Sequence, residues 1–248
     1  MFEPRVALAS LSGEADAAWA RAVESHIGCA FLGGIALDER TREAARAMTD
    51  RDRSEFLPDD PVAFVDDQLA ALADAPLRPA FNVRSATPGP VERAATVCQH
   101  HDAIIELNAH CRQDEMCAAG AGESLLREPD RLAAFVEAAA STGATVSVKG
   151  RAELDGVSLS AVARAIEDAG GDVFHVDAMD SESVIADVAD ATDLFVVANN
   201  GVRGTATTRE YLSYGADAVS VGRASDRPEL LDEVRETTAE WFASEVSP

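Results

Sequence analysis

The short apolar runs of this chain end in side chains that can bind a ligand or move a proton. The runs are rich in β-branched residues, and their polar ends supply a lysine, a histidine and several amides. A single Asn or Asp at such a position is most often a turn or cap residue, so the prediction of a ligand site depends on the whole set. That set is Asn82, Asn108, Lys149, His175, Asp177, Asn199, Asn200, Gly222 and Arg223.

Lys149 is the only lysine of the chain, since the other 20 of the 21 Lys and Arg side chains are arginine. It follows the alternating apolar residues Val146 and Val148, at the end of a predicted strand. A compact ammonium group fits sites that a planar guanidinium does not, so we expect Lys149 to hold a ligand in a tight site. Two chemistries use such a lysine: electrostatic stabilisation of a cofactor, and Schiff-base formation in a phosphate-binding isomerase or aldolase.

Glycine-rich segments follow the last two predicted strands, with the sequences NNGVRG and SVGRASD. Gly201, Gly204 and Gly222 allow the backbone to approach a ligand closely. Eight-stranded barrels commonly bind phosphate at these two loops, through backbone N–H groups and the N-terminus of the following helix. Arg223 can add a bidentate contact, so the two segments together predict a phosphate site.

Strand and helix patterns alternate about eight times along the chain, which indicates parallel strands joined by crossover helices. Eight such units in 248 residues predict an α/β fold, a single (β/α)8 TIM barrel over residues 1–248. The alternative is a doubly wound open sheet, but no strand is followed by a Gly-x-Gly-x-x-Gly fingerprint. The first helix is predicted over residues 16–26 and the helix after the sixth strand over 181–191, whereas a long loop is expected after the fourth strand.

The composition is strongly acidic, with 44 Asp and Glu side chains and a formal net charge of −23, yet 47% of the residues are hydrophobic. This balance predicts a folded protein adapted to concentrated salt, as in a halophile, and disfavours nucleic-acid binding. No segment approaches the length of a membrane span, so we expect a cytoplasmic protein. The four cysteines include no Cys-x-x-Cys pair, and their spacing from the histidines matches no standard metal site, so no metal is predicted.

Several segments, taken in order from residue 8 to about 224, resemble the dihydrouridine synthases. The segment LASLSGEADAAW is similar to their first strand and loop, IIELNAHCRQ to their Ile-Asn-x-Gly-Cys-Pro segment, and VSVKGR to their Val-x-Val-Lys-x-Arg strand. GESLLREPDRL, VFHVDA, FVVANNGV and GADAVSVGRA resemble the later motifs of the family. The dihydroorotate dehydrogenases share the barrel and the strand-five lysine, so the resemblance extends to the wider superfamily of FMN barrels.

The resemblance implies roles for individual residues. Lys149 would hold the FMN ring near its N1 and O2 edge and stabilise the reduced anion. Cys111 aligns with the catalytic cysteine, which exchanges a proton with a pyrimidine carbon, and His110 is the alternative proton carrier. The neighbouring His110 and Arg112 would favour the thiolate. The remaining cofactor-binding residues would be Ser10, Asn82, Asn108, His175, Asn200, Gly201, Gly222 and Arg223, of which the last four would hold the phosphate.

Departures from the family pattern fall on the substrate side. The family's Gly-Cys-Pro reads His110-Cys111-Arg112, and the Arg that the family places two residues after the strand-six His is Asp177. We expect no helical C-terminal domain of the kind with which the tRNA-modifying members grip tRNA, which disfavours tRNA as a partner.

We therefore expect an FMN-dependent oxidoreductase that acts on a C=C bond of a pyrimidine-like substrate or of a tRNA uridine, with NADPH or NADH as the reductant. The alternatives are a dihydroorotate dehydrogenase-like enzyme, and a degenerate flavin- or phosphate-binding barrel without redox turnover. A homo-oligomer is compatible with each of these functions.

Overall fold

Eight parallel strands close into a barrel in which each strand pairs with its neighbours in chain order, and β8 pairs with β1. The computed structural model describes residues 1–245, and the predicted fold class, an α/β (β/α)8 barrel, is confirmed within them. Residues 246–248, the end of the predicted domain, lie outside the described part. The strands are β1 Val6–Leu8, β2 Cys29–Ala36, β3 Arg78–Arg84, β4 Ile104–Asn108, β5 Thr145–Arg151, β6 Val173–Asp177, β7 Phe195–Asn199 and β8 Ala218–Val221.

Helices cover the outside of the barrel, and an apolar shell between helices and strands forms the larger part of the core. Among the described residues, none of these helices combines the length and the apolar character that a membrane span requires. The helices are α1 Ala17–Arg21, α2 Glu39–Thr49, α3 Pro61–Ala70, α4 Pro88–His100, α5 Asp114–Ala118, α6 Pro129–Ala140, α7 Leu159–Asp168, α8 Val184–Ala189, α9 Thr205–Ser213 and α10 Pro228–Glu245.

Three local predictions were wrong. Helix α1 ends at Arg21 rather than at residue 26, because the chain continues in tight turns such as the bond from Val23 N to Ala20 O before it enters β2. Helix α8 covers only Val184–Ala189 of the predicted 181–191. The connection after β4 is not a plain loop, since it holds α5 and a 3-10 helix over Gly122–Arg127.

The barrel interior is apolar at its N-terminal end and polar above it. The inward-facing residues of the lower end are small or apolar: Ala7, Cys29, Phe31, Ala80, Ile104, Val173, Val197 and Ala218. Two residues further along the strands, the same face carries Asn82, Glu106, Ser147, His175 and Ser220, and all five are fully buried. Because side chains alternate in direction along a strand, this step of two residues keeps them on the inner face.

Glu106 is the centre of this polar layer. Its Oε1 accepts a hydrogen bond from Asn82 Nδ2 at 2.7 Å. Its Oε2 lies 2.7 Å from His175 Nδ1 and accepts a bond from Ser147 Oγ at 3.2 Å. His175 Nε2 in turn lies 2.8 Å from Ser220 Oγ. A neutral imidazole protonated at Nδ1 satisfies both contacts, because it donates to Glu106 and accepts from Ser220.

The charges of this layer follow from its burial. Burial by itself raises the pKa of Glu106, but attraction to His175 in its protonated form and to Lys149, with the hydrogen bonds from His175 and Asn82, outweighs burial and holds the pKa below its ordinary value. Burial lowers the pKa of His175, and the attraction of Glu106 only partly opposes that shift. Near neutral pH the layer therefore holds an anionic carboxylate and a neutral imidazole beneath Lys149.

Replacing Glu106 by Gln should destabilise the protein by about 3–5 kcal/mol, because the buried charge of Lys149 loses its main counter-charge. Since the folded-state pKa of Glu106 is depressed, its contribution is complete above the unfolded-state value and is lost as the pH falls below 4.5. The E106Q variant should therefore lose less stability than the wild type in that acid window. Denaturant unfolding at several pH values and constant salt measures both effects.

The matched control is Glu240→Gln, which removes a carboxylate whose ion pair with Arg209 is exposed. That change should cost less than about 1 kcal/mol. Equal losses for E106Q and E240Q would contradict the central role of Glu106.

Candidate functional site

Two adjoining cavities open at the C-terminal ends of the strands. The first, of about 430 Å³, is here called the lysine cavity, because Lys149 lies in its wall together with the loops after β1, β7 and β8. The second, of about 310 Å³, is called the arginine cavity after Arg53, Arg84, Arg112, Arg151 and Arg223. Ser10, Ser12, Arg53, His110, Asp177, Asn200 and Arg223 line both. A ligand that fills one cavity therefore touches the wall of the other.

Lys149 reaches the lysine cavity from β5 and is itself buried. Among the described residues its Nζ has no direct hydrogen bond or ion pair; Glu106 and Asp177 act on it only by charge at longer range. Burial lowers its pKa, and these two carboxylates oppose the shift. A buried ammonium group that lacks a close partner in a cavity wall is a site for an anionic or strongly polar ligand group.

The loops after β7 and β8 present free backbone amides to the same cavity. Asn200 and Gly201 have φ angles of 79° and 70°, which turn the first of these loops sharply. Within residues 1–245, no hydrogen bond is donated by the backbone N–H groups of Asn200, Gly201, Val202, Gly222, Arg223 and Ala224. Convergent free N–H groups form an anion-binding concavity, which suits a phosphate.

The N-terminus of α9 does not share in this cradle, contrary to the expectation from the sequence. Glu233 of α10 accepts a hydrogen bond from Thr205 N at 2.8 Å and so satisfies the first N–H group of that helix. Gly204 has a φ angle of 136°, which favours glycine, and a Cβ atom there would also lie 2.6 Å from the same carboxylate. Since no residue of α9 lines the lysine cavity within residues 1–245, the loop amides are the candidate anion donors of this wall.

Cys111 lies on the loop after β4, in the wall of the arginine cavity. Asn108 at the end of β4 accepts hydrogen bonds from the backbone N–H groups of Cys111 and His110, at 3.1 and 3.4 Å. The carbonyl of Cys111 accepts a bond from Glu123 N at 2.9 Å. Gly122 is required beside it, because a Cβ atom there would lie 2.2 Å from the Cys111 carbonyl oxygen. These contacts fix the backbone that carries the thiol.

His110 lines both cavities, and its buried Nδ1 has no hydrogen-bond partner among the described residues. Burial, reinforced by the positive charges of Lys149 and Arg84, lowers its pKa well below the ordinary value. The imidazole is therefore neutral near pH 7. A neutral His110 adds no positive charge beside Cys111, which leaves Arg112 as the adjacent cation.

Two arginines that end strands β3 and β5 reach the arginine cavity. Arg84 forms a buried ion pair with Glu55 at 2.5 Å and also donates to Ser12. Arg151 pairs with Glu123 at 2.6 Å. In each pair a carboxylate oxygen contacts Nη1 alone, and the Nε atoms of both arginines are buried without a hydrogen bond to the described residues.

The residues predicted from the sequence fall into two groups. Ser10, His110, Lys149, Asn200, Gly201, Gly222 and Arg223 line the lysine cavity, and Cys111 lines the arginine cavity with His110, Ser10 and Arg223. Asn82, Asn108 and His175 are buried beneath the cavities instead. Asn82 and His175 belong to the Glu106 layer, and Asn108 donates to Asn82 Oδ1 at 2.8 Å. Their predicted contact with a cofactor stays a prediction, whereas their role in supporting the walls is structural.

Sequence reasoning missed Glu106, Arg84, Arg151, Ser220 and Arg53. The first four stand two residues before or after a recognised strand-end residue: Glu106 before Asn108, Arg84 after Asn82, Arg151 after Lys149 and Ser220 before Gly222. A polar residue two positions away on an apolar strand faces the same side of the sheet as the recognised residue. The alternation of side chains along a strand was therefore the sequence signal for these four residues. Arg53 lies in a connecting loop and had no such pattern.

Comparison with known proteins agrees with this architecture. A family model described as Dihydrouridine synthase (Dus) matches residues 68–247. An uncharacterized protein of Methanocaldococcus jannaschii, MJ0144, is 26% identical over 236 residues, which cover 90% of this chain and 89% of that protein.

Two solved structures share the fold. A chain of the tryptophan synthase complex from Pyrococcus furiosus has a TM-score of 0.59 at 13% identity, covering 96% of this chain and all of that one. A FabK mutant from Thermotoga maritima has a TM-score of 0.55 at 14% identity, covering 90% of this chain and 63% of that one. The family match spans well over half of the sequence, and the chain belongs to the dihydrouridine synthase family.

Proposed function

We propose that this protein is an FMN-dependent oxidoreductase that acts on a C=C bond of a pyrimidine-like substrate. The observation that carries the proposal is Lys149: the chain's only lysine is buried in the wall of the lysine cavity and has no direct partner among residues 1–245. A cation held ready in this way suits the N1 and O2 edge of a flavin, where negative charge accumulates on reduction. Family membership supports an oxidoreductase of this type.

The residues present fit FMN. The free loop amides around Asn200, Gly201, Gly222 and Arg223 offer a phosphate cradle, and Arg203 and Arg223 add positive charge to the same wall. The lysine cavity, of about 430 Å³, lies within the usual range of cofactor sites, about 300–1,000 Å³. When bound, FMN would supply hydride transfer to or from a substrate carbon.

The chain's own contribution is to orient the ligands and to move one proton. Cys111 is the proposed proton carrier to or from the substrate carbon, since it lies in the arginine cavity on a backbone held by Asn108 and Glu123. Neutral His110 can accept or relay that proton but does not start as an imidazolium. Hydrogen bonds from Asn200 and Met179 N orient Asp177 at the boundary of the two cavities.

The first test is flavin uptake by Lys149 variants. The wild type, purified in concentrated salt, should show a flavin absorbance spectrum or acquire one on addition of FMN. Lys149→Met and Lys149→Arg should both weaken FMN binding by at least about tenfold, because the first removes the charge and the second replaces a compact ammonium by a planar group. Fluorescence quenching of FMN measures the affinity.

Arg93→Gln is the control, since Arg93 is exposed on α4 and lines neither cavity. A colourless wild type that takes up no FMN would overturn the proposal. Borohydride trapping of a carbonyl compound on Lys149 would then favour a Schiff-base enzyme.

The second test concerns Cys111. Cys111→Ala should retain the flavin yet slow substrate-driven reoxidation of the reduced flavin by about 10²–10⁴-fold, the usual contribution of a positioned proton carrier. Anaerobic stopped-flow absorbance, with a pyrimidine or a tRNA transcript as substrate, measures this rate.

The matched variant is Cys117→Ser, which keeps the donor to the Cys111 carbonyl and should reoxidise at nearly the wild-type rate. Unchanged rates in C111A would show that Cys111 is not the proton carrier and would favour a flavin-binding barrel without this chemistry.

A further inference from the structure

The charge of the cavity walls is opposite to that of the protein. Within residues 1–245, only one of the 44 Asp and Glu side chains, Asp177, lines either cavity. Six of the 20 arginines line them, together with the only lysine: Arg53, Arg84, Arg112, Arg151, Arg203 and Arg223. A chain with a net charge of −23 has therefore gathered positive charge at one place. A cluster of positive charge of this kind raises the local concentration of anionic ligands.

The FMN phosphate accounts for only part of this charge. Arg203 and Arg223 belong to the lysine cavity, whereas Arg84, Arg112 and Arg151 line only the arginine cavity. A single phosphate on the loops after β7 and β8 does not explain why the strands β3 and β5 also end in guanidinium groups on the side of Cys111.

The hydrogen bonding of Arg84 and Arg151 is incomplete. Each is at least nine-tenths buried, and each has an Nε without a partner. Their carboxylate partners, Glu55 and Glu123, use Nη1 alone and so hold the guanidinium groups in place without saturating them. His110 adds a third buried nitrogen without a partner on the same cavity wall. Buried donors without a partner cost free energy, but these three nitrogens are themselves closed to the cavity. A ligand would therefore be attracted by the positive charge of the guanidinium groups and not by these donors.

Arg53 and Arg112 complete the wall without any ion pair to the described residues. Glu55 and Glu123 offset the charges of Arg84 and Arg151. The other three arginines, Arg53, Arg112 and Arg223, therefore leave an excess of positive charge over the carboxylate of Asp177. We infer that the arginine cavity is a subsite for an acid group, a carboxylate or a phosphate, carried by a small substrate beside Cys111. The role of this subsite in turnover rests on the proposed function, whereas the binding of the acid does not.

A small acid is favoured over a polynucleotide by two observations. The cavity, of about 310 Å³, holds a single ring with its acid substituent. The rest of the chain carries a large excess of carboxylates and would repel an extended phosphate backbone. Guanidinium groups bind planar carboxylates and phosphates through the same fork of N–H donors, so the two acids must be separated by experiment.

The test compares ligands that differ only in the acid group. Isothermal titration at fixed salt with uracil, uracil 6-carboxylate, uridine and uridine 5′-monophosphate should show at least about tenfold tighter binding for one acid than for its neutral partner. A preference confined to the carboxylate pair or to the phosphate pair identifies the acid. Equal affinities of acid and neutral compound in both pairs would overturn the inference, as would binding of a tRNA transcript when no small acid binds.

The variants locate the subsite. Arg112→Gln and the paired change Arg151→Gln with Glu123→Gln should each reduce the acid preference by about tenfold. The paired change avoids leaving Glu123 as a half-buried carboxylate without its partner. Arg93→Gln should leave the preference unchanged. A preference retained in both cavity variants would place the acid elsewhere and contradict the inference.

Flavin content, measured by absorbance in every variant, separates the two proposals. Full flavin with no acid preference would overturn only the acid subsite. An acid preference in a protein that takes up no FMN would support the subsite and overturn the flavin proposal.

Discussion

The carboxylate of Glu106, buried inside the barrel, is the interaction on which the rest of the site depends. It accepts hydrogen bonds from three strands, through Asn82, Ser147 and His175. It also supplies the strongest counter-charge to Lys149 in the layer above. An unpaired charge in a barrel interior is costly, so the carboxylate and the ammonium group stabilise each other by charge, at a range longer than that of a direct ion pair. The lysine can therefore stay charged in a cavity wall without a partner that would occupy its Nζ.

The hydrogen bonds that start at Glu106 continue to two of the loops that surround the cavities at the C-terminal ends of the strands. On one side Asn82 connects to Asn108, which holds the backbone of His110 and Cys111. On the other side His175 Nε2 lies 2.8 Å from Ser220 Oγ, which in turn lies 3.0 Å from Asn199 Oδ1, just before the glycine-rich loop that follows β7. The loop that carries Cys111 and the glycine-rich loop after β7 are thus joined by one buried network. Networks of this kind fix geometry more firmly than separate pairs do.

Most of the fold and about half of the residues of the candidate site could be predicted from the sequence. Strand ends were predictable because parallel strands of a barrel end at the same face, and Lys149 was conspicuous as the only lysine. Glu106 was missed because its spacing of two residues from Asn108 carries meaning only once the inward face of β4 is known. The capping of α9 by Glu233 joins residues 28 positions apart in two helices, and the neutral state of His110 depends on burial among cations from several strands. Such properties arise only from tertiary packing.

The loop after β4 shows how the structure accommodates residues that differ from the family pattern. In place of Gly-Cys-Pro, the loop is shaped by bonds from Asn108 to the amides of His110 and Cys111, and by the close approach of Gly122 to the Cys111 carbonyl. The thiol keeps its place in the cavity wall, while His110 and Arg112, the two residues that differ, line the arginine cavity beside it. The departures therefore leave the loop that carries the thiol anchored and alter the wall of the arginine cavity beside that thiol.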